Sequence, residues 1–139
     1  MSQPPLPKLL VSDDQPEMVA AWGRRGRQLG FEVLTDTESR VVELARQHQP
    51  ALILLDVNQT VNGLELLHVL KRDPRTRDIP VMVVSASDDP FIKEVCAEFG
   101  AVEFVPKPIA ESVIHRLAEF ARLRREDPTA PLPPPIADA

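Results

Sequence analysis

Short apolar runs alternate along the chain with longer segments in which apolar residues recur every three or four positions. That is the pattern of strands and helices laid down as βα units around a parallel sheet. Five such units fit, with strand candidates at Lys8–Ser12, Phe31–Thr35, Ala51–Leu55, Val81–Val84 and Val102–Val105. Four of these are continuous or nearly so in apolar character, as strands covered on both faces require. A doubly wound α/β sheet is the expected fold class.

The first helix is predicted to begin at Pro16, whose fixed φ and missing N–H suit a first helical position, and to run to about Gly30, which can cap it. Gly23 and Gly26 interrupt it, each costing roughly 1 kcal/mol relative to Ala, so packing of Met18, Ala21, Trp22 and Leu29 must hold it. Spacing predicts a second helix over Glu38–His48 and a third over Gly63–Arg72, the latter with Leu64, Leu67 and Leu70 on one face. A fourth places Ile92, Cys96 and Phe99 together before Gly100 ends it, and a fifth carries Val113, Leu117 and Ala121 on one stripe.

Length and composition narrow the picture. At 139 residues and 43% hydrophobic content, the chain can bury one sizeable core but is too short for two ordinary domains. Residues 8–125 are expected to form that domain and residues 1–7 a disordered tail. Residues 126–139 read as a Pro-rich disordered tail, or as a linker toward an output domain outside this chain. A formal net charge of −5 gives no pull toward nucleic acid or an anionic membrane, so neither is an expected partner. The longest apolar runs, such as Ala51–Leu55, fall far short of a membrane span, and the N-terminus lacks the features of a signal peptide. A cytoplasmic location follows as an expectation. The single cysteine, Cys96, cannot form an internal disulfide and has no Cys/His cluster around it, so it reads as a small buried apolar residue. His48, His68 and His115 have no partner at ligand spacing and receive no role.

In an open parallel sheet, ligands sit beyond the carboxyl ends of the strands. There strand one ends in Asp13 and Asp14, strand three in Asp56 and strand four in Ser85, while strand five leads through Pro106 to Lys107. Each has an ordinary structural explanation alone: the acidic pair can favour a helix start, Asp56 can be a loop carboxylate, and Lys107 a solvated charge. Together they bring carboxylates, a hydroxyl and an ammonium to one rim. Carboxylates that close raise one another's pKa, so a cation should neutralise them. Hard oxygen ligands with room for water suit Mg²⁺, which one or two carboxylates plus a phosphate oxygen commonly hold. Lys107 is then a point charge for a phosphoryl group, and Ser85 can donate a hydrogen bond to one of its oxygens. Phosphoryl transfer depends chiefly on positioning and charge neutralisation, which such a rim supplies.

Taken in order, Val-Ser-Asp13-Asp14, Leu-Leu-Asp56, Val-Val-Ser85-Ala86 and Lys107-Pro108 resemble the receiver (CheY-like) domains of bacterial two-component response regulators, over about Lys8–Arg125. The resemblance implies a flavodoxin-like (βα)5 sheet with strand order 2-1-3-4-5. It implies that Asp56 accepts a phosphoryl group from a sensor histidine kinase, a phosphotransfer protein or a small phosphodonor, forming an aspartyl phosphate. It implies Mg²⁺ or Mn²⁺ as cofactor, with Asp14 a direct ligand, Asp13 acting largely through water, and Asp56 and the Asn58 backbone carbonyl completing the set. Lys107 would pair with the acceptor or its phosphate, Ser85 would follow the phosphoryl group, and Phe104 would be the aromatic whose rotation reports that movement. The Lys107–Pro108 peptide would be cis. A downstream target or a second copy would dock on the face of the fourth helix, fifth strand and fifth helix, where Asp88, Asp89, Glu94 and Glu98 oppose the arginines of Arg122–Arg125.

One departure stands out. The family usually carries a proline four residues after the acceptor and a glycine eight after it, whereas Asp56-Val-Asn-Gln-Thr-Val-Asn-Gly63 has no proline and is one residue shorter. The expected function is therefore a phosphoacceptor signalling domain, regulatory rather than enzymatic, with a phosphorylation-independent interaction module as the alternative. A flavodoxin-like or phosphatase-like enzyme is the weakest reading. Asp56 lacks the second aspartate two residues on that would serve as general acid, and no phosphate-cradling glycine loop follows strand one.

Overall fold

The computed structural model describes residues 4–59 and 62–135. Five parallel strands, β1 (Lys8–Ser12), β2 (Glu32–Asp36), β3 (Leu52–Asp56), β4 (Val81–Ser85) and β5 (Glu103–Pro106), form one sheet in the order 2-1-3-4-5. Five helices, α1 (Pro16–Leu29), α2 (Val41–His48), α3 (Gly63–Arg72), α4 (Pro90–Glu98) and α5 (Glu111–Glu126), alternate with them. This is the doubly wound α/β fold the sequence predicts.

The central strands are apolar up to their carboxyl ends, apart from Lys8 at the start of β1, because successive side chains face opposite sides of a sheet covered twice. Leu9, Val11, Leu52, Leu54, Met82 and Val84 point into a core closed by Val19 of α1 and by Val113, Leu117 and Phe120 of α5. Leu10, Ile53, Leu55, Val81 and Val83 point the other way, into a core closed by Val41 and Ala45 of α2, Leu67 and Leu70 of α3, and Cys96 of α4. Cys96 is fully buried, and burial pushes its thiol above the ordinary range. Among the described residues, no helix is long and apolar enough to cross a membrane.

Several boundaries differ from the pattern-based expectation, and for related reasons. β2, β3, β4 and β5 each end one residue later than predicted, on Asp36, Asp56, Ser85 and Pro106. The backbone ladder continues past the last apolar residue because it is indifferent to the side chain. α2 begins at Val41 rather than Glu38, because the Asp36 carboxylate accepts the Glu38 N–H at 2.9 Å and Ser39 takes a left-handed conformation with φ 57°. Gly26, read from sequence as a weakness of α1, is buried where the helix crosses the sheet. A Cβ there would meet Val33 Cγ2 at 2.6 Å and Leu9 Cδ2 at 3.3 Å.

The segment after α5 also differs from a disordered tail. Residues 127–135 double back along the helix. Arg124 donates to the carbonyls of Ala130 and Pro128, and Arg116 donates to Pro133 O at 2.9 Å. Ala130 is buried and Leu132 packs on the first core. The sequence shows few apolar groups there, and what holds the segment is its own carbonyls meeting arginines. Residues 1–3 and 136–139 of the expected tails, and Thr60 and Val61 of the short loop after Asp56, lie outside the described residues.

Candidate functional site

β1 lies between β2 and β3, so the chain reverses its winding direction where β1 and β3 run side by side. At such a switch point the loops diverge and leave a crevice beyond the carboxyl ends. Asp13 follows β1 and Asp56 closes β3, and both are buried, at 4% and 6% exposure. Lys107, just past β5, reaches back across the crevice. Its Nζ donates to Asp56 Oδ2 at 3.0 Å and to Asp13 Oδ2 at 3.2 Å. The Lys107–Pro108 peptide is cis.

The remaining carboxylate oxygens are held by backbone donors. Asp56 Oδ1 accepts the Asn58 N–H at 2.8 Å, and Asp13 Oδ1 accepts the Gln15 N–H at 3.0 Å. Burial pushes the Asp13 carboxyl above its ordinary value, with the Asp56 charge adding to it, against the lowering effects of Gln15 and Lys107. For Lys107, burial lowers the ammonium, but its hydrogen bonds and charge contacts with Asp56 and Asp13 outweigh this and raise it. The site is therefore two buried carboxylates sharing one cation, with an excess of negative charge.

Ser85 closes β4 and is fully buried; its Oγ accepts the Asn58 side-chain amide at 2.9 Å and the Ser87 N–H at 3.0 Å. Asn58 thus serves the rim twice, through its backbone to Asp56 and through its side chain to Ser85. Asp14 is half-buried beside Asp13. Phe104 lies further from the rim, half-buried on β5 and packed on the second core, the one that Cys96 of α4 closes. Trp22 of α1 lines the small crevice together with Asp13, Asp56 and Lys107.

The donor set suits a hard cation that keeps much of its water. Asp13 and Asp56 both face the Lys107 ammonium, and burial holds the Asp13 carboxyl above its ordinary value despite that contact. Among the described residues, no group of three or more His, Cys, Asp or Glu could by itself hold a metal ion. Asp13, Asp14 and Asp56 therefore do not form an all-protein cage, and a cation here would need water and a substrate oxygen, which is the habit of Mg²⁺.

Sequence reasoning missed a buried polar cluster behind the rim. Gln59 donates to Ser12 O, Ser12 Oγ and Asp56 O, and Ser12 donates to Asp36 Oδ2. Ser12 and Asp36 were legible only as polar residues ending apolar strands. Gln59 carries no local signal, because its partners come near it only once β1 and β3 are adjacent. A Cβ on Gly63 would lie 2.3 Å from Val57 Cα, so the start of α3 requires glycine.

Residues 9–119 match the family model described as the response regulator receiver domain. The chain is 32% identical over 127 residues to the transcriptional regulatory protein PrrA of Mycobacterium tuberculosis, covering 89% of this chain and 53% of that protein. It is 28% identical over 109 residues to the protein PilH of Pseudomonas aeruginosa, covering 77% of this chain and 90% of PilH. The chain thus spans about half or less of the length of several curated relatives it matches. In three dimensions it is similar to the Vibrio cholerae chemotaxis protein CheY4, with a TM-score of 0.74 at 20% identity over 84% of this chain and 98% of that one. That likeness is one of fold.

Proposed function

The chain belongs to the response regulator receiver domain family of two-component systems, and from that premise we propose that it accepts a phosphoryl group on Asp56 and passes the signal on by contact. The observation that carries this is the Lys107 ammonium, 3.0 Å from one oxygen of a buried aspartate that ends the strand at the switch point. The family is regulatory, and the chain's role is to assist only its own phosphorylation and dephosphorylation.

In the proposed step an Asp56 carboxylate oxygen attacks the phosphorus of a phosphohistidine on a sensor kinase or phosphotransfer protein. A P–O bond forms, the P–N bond breaks, and the imidazole leaves with the bonding pair and takes up a proton. The Asn58 N–H on Oδ1 fixes the carboxylate's orientation, and Lys107 offsets the charge gathered on the transferring oxygens. Mg²⁺ or Mn²⁺, held by Asp13, Asp14, Asp56 and the Asn58 carbonyl, would supply further charge neutralisation when bound. Ser85 gives up its bond from Asn58 to turn its hydroxyl toward the phosphoryl group. Phe104 follows by repacking on β5, so that the face of α4, β5 and α5 changes for a downstream protein or a second copy.

A second reading, a receiver-like module that works without phosphorylation, is favoured by the engagement of Ser85 Oγ with Asn58 and by the short loop before Gly63. Intact-mass measurement after incubation with Mg²⁺ and acetyl phosphate separates the two. Gain of one phosphoryl group by the wild type and none by Asp56→Ala supports the acceptor role. No gain by a folded wild type that also fails to bind Mg²⁺ moves the assignment to the module.

A further inference from the structure

The polar cluster behind the rim is built around one side chain. Gln59 is buried at 8% exposure, and its Nε2 lies 2.9 Å from Asp56 O, 2.9 Å from Ser12 Oγ and 3.1 Å from Ser12 O. Two of these partners are carbonyls that can only accept, and Ser12 spends its own proton on Asp36 Oδ2 at 2.9 Å. The amide nitrogen is therefore the group that must face them, its two hydrogens serving three acceptors with one hydrogen shared between two of them.

Placement gives this bond set its consequence. The β1–β3 ladder ends with the pair Ser12 and Leu55. Asp13 and Asp56 lie beyond that last rung: each backbone is held from its other side, the Asp13 N–H on Asp36 O at 3.0 Å and Asp56 paired with Val84, and no β1–β3 rung joins the two directly. Gln59 bridges the backbone of Ser12, next to Asp13, and the backbone of Asp56 itself. Both segments that carry the carboxylates sharing Lys107 hang from the same amide.

We propose that Gln59 is a positioning residue for phosphoryl transfer, setting the separation of Asp13 and Asp56 and with it the reach of Lys107 to both. This rests on Asp56 being the acceptor. Positioning within a fraction of an ångström governs such steps, so a site that relaxes loses rate at full occupancy and not affinity for the donor.

Gln59→Met keeps length and removes the donors. Its limiting rate of phosphorylation by acetyl phosphate is expected to fall roughly tenfold with the half-saturating donor concentration unchanged. Thr76→Val provides the stability control, since it removes a buried hydroxyl bonded to Leu70 O at 2.7 Å in the loop that enters β4, at the opposite end of the strands from the site. It is expected to lose stability and keep the wild-type rate. Equal rates for the two variants overturn the proposal. If the wild type takes no phosphoryl group at all, the acceptor reading fails, and positioning is decided by NMR on the unmodified protein. The Gln15 amide, which donates to Asp13 Oδ1 at 3.0 Å, then reports the carboxylate's place. Its signal moves in Gln59→Met if Gln59 sets that place, and an unmoved signal overturns the proposal.

Discussion

Lys107 Nζ stands 3.0 Å from Asp56 Oδ2, across a gap of fifty-one residues in sequence, and the same nitrogen holds Asp13 Oδ2 at 3.2 Å. Replacing it with an uncharged donor isolates the electrostatic part of the arrangement. Lys107→Gln is expected to slow phosphorylation of Asp56 by about 100-fold or more, the scale at which a preorganised donor to a transition state is lost. Phosphoryl incorporation followed by intact mass checks this, and a variant within a few-fold of the wild type would remove Lys107 from the chemistry.

Asp13 should cost the fold stability at neutral pH. Its carboxyl is raised above 3.8 chiefly by burial, so between 3.8 and the raised value the native state binds more protons than the unfolded one. Stability therefore falls as pH rises through that window. Asp13→Asn removes the charge and keeps one acceptor oxygen, which can face the Gln15 N–H or Lys107 but not both. It should melt higher than the wild type at neutral pH in magnesium-free buffer, with the difference shrinking as pH drops toward 3.8. Thermal melts across that range are decisive, and a variant less stable at neutral pH would show that the ion pair with Lys107 outweighs the burial.

The two glycines inside α1 look alike in sequence and should behave oppositely. At Gly23 a new Cβ meets only the far end of Arg27, 3.3 Å away, so Gly23→Ala should stabilise by up to about 1 kcal/mol through helix propensity. At Gly26 the Cβ would sit 2.6 Å from Val33 Cγ2, and overpacking against the sheet should destabilise Gly26→Ala by roughly 1–3 kcal/mol. Urea denaturation of both variants tests the contrast, which fails if the two shifts share a sign.

What the sequence made legible follows the range of the physics involved. Apolar runs and helical spacing are local, so the five βα units and the facing of Leu67, Leu70 and Cys96 toward the core came out of pattern alone. The rim residues Asp13, Asp56, Ser85 and Lys107 were legible because a parallel sheet brings strand ends together whatever connects them. Asn58 was read only for its carbonyl, and its side-chain bond to Ser85 was not foreseen. Gln59, Gly26 and Arg116 escaped because each acts through residues that are distant in sequence, Gln59 on Ser12, Gly26 on Val33, and Arg116 on Glu103 and Pro133. No local pattern marks a glycine that a neighbouring strand requires, or an arginine that gathers carbonyls from a proline-rich segment.

Arg116 is where that last kind of interaction concentrates. It is 6% exposed, donates to both oxygens of Glu103 at 2.6 and 2.8 Å, and also holds Pro133 O. A planar guanidinium suits this fork of carboxylate and carbonyl, and an ammonium does not. Arg116→Ala leaves the half-buried Glu103 without its partner and should cost roughly 2–4 kcal/mol, while releasing the segment around Pro133 from α5. Arg116→Lys should recover only part of that, since it restores charge but not the fork. The two effects are measured separately, stability by urea denaturation and release by limited proteolysis of residues 127–135. If α5 and the segment were independent, cleavage would be unchanged in both variants. If the segment covers the β5 side of the α5 face, cleavage should rise in step with the loss of the Pro133 bond, and a partner docking there would first have to displace it.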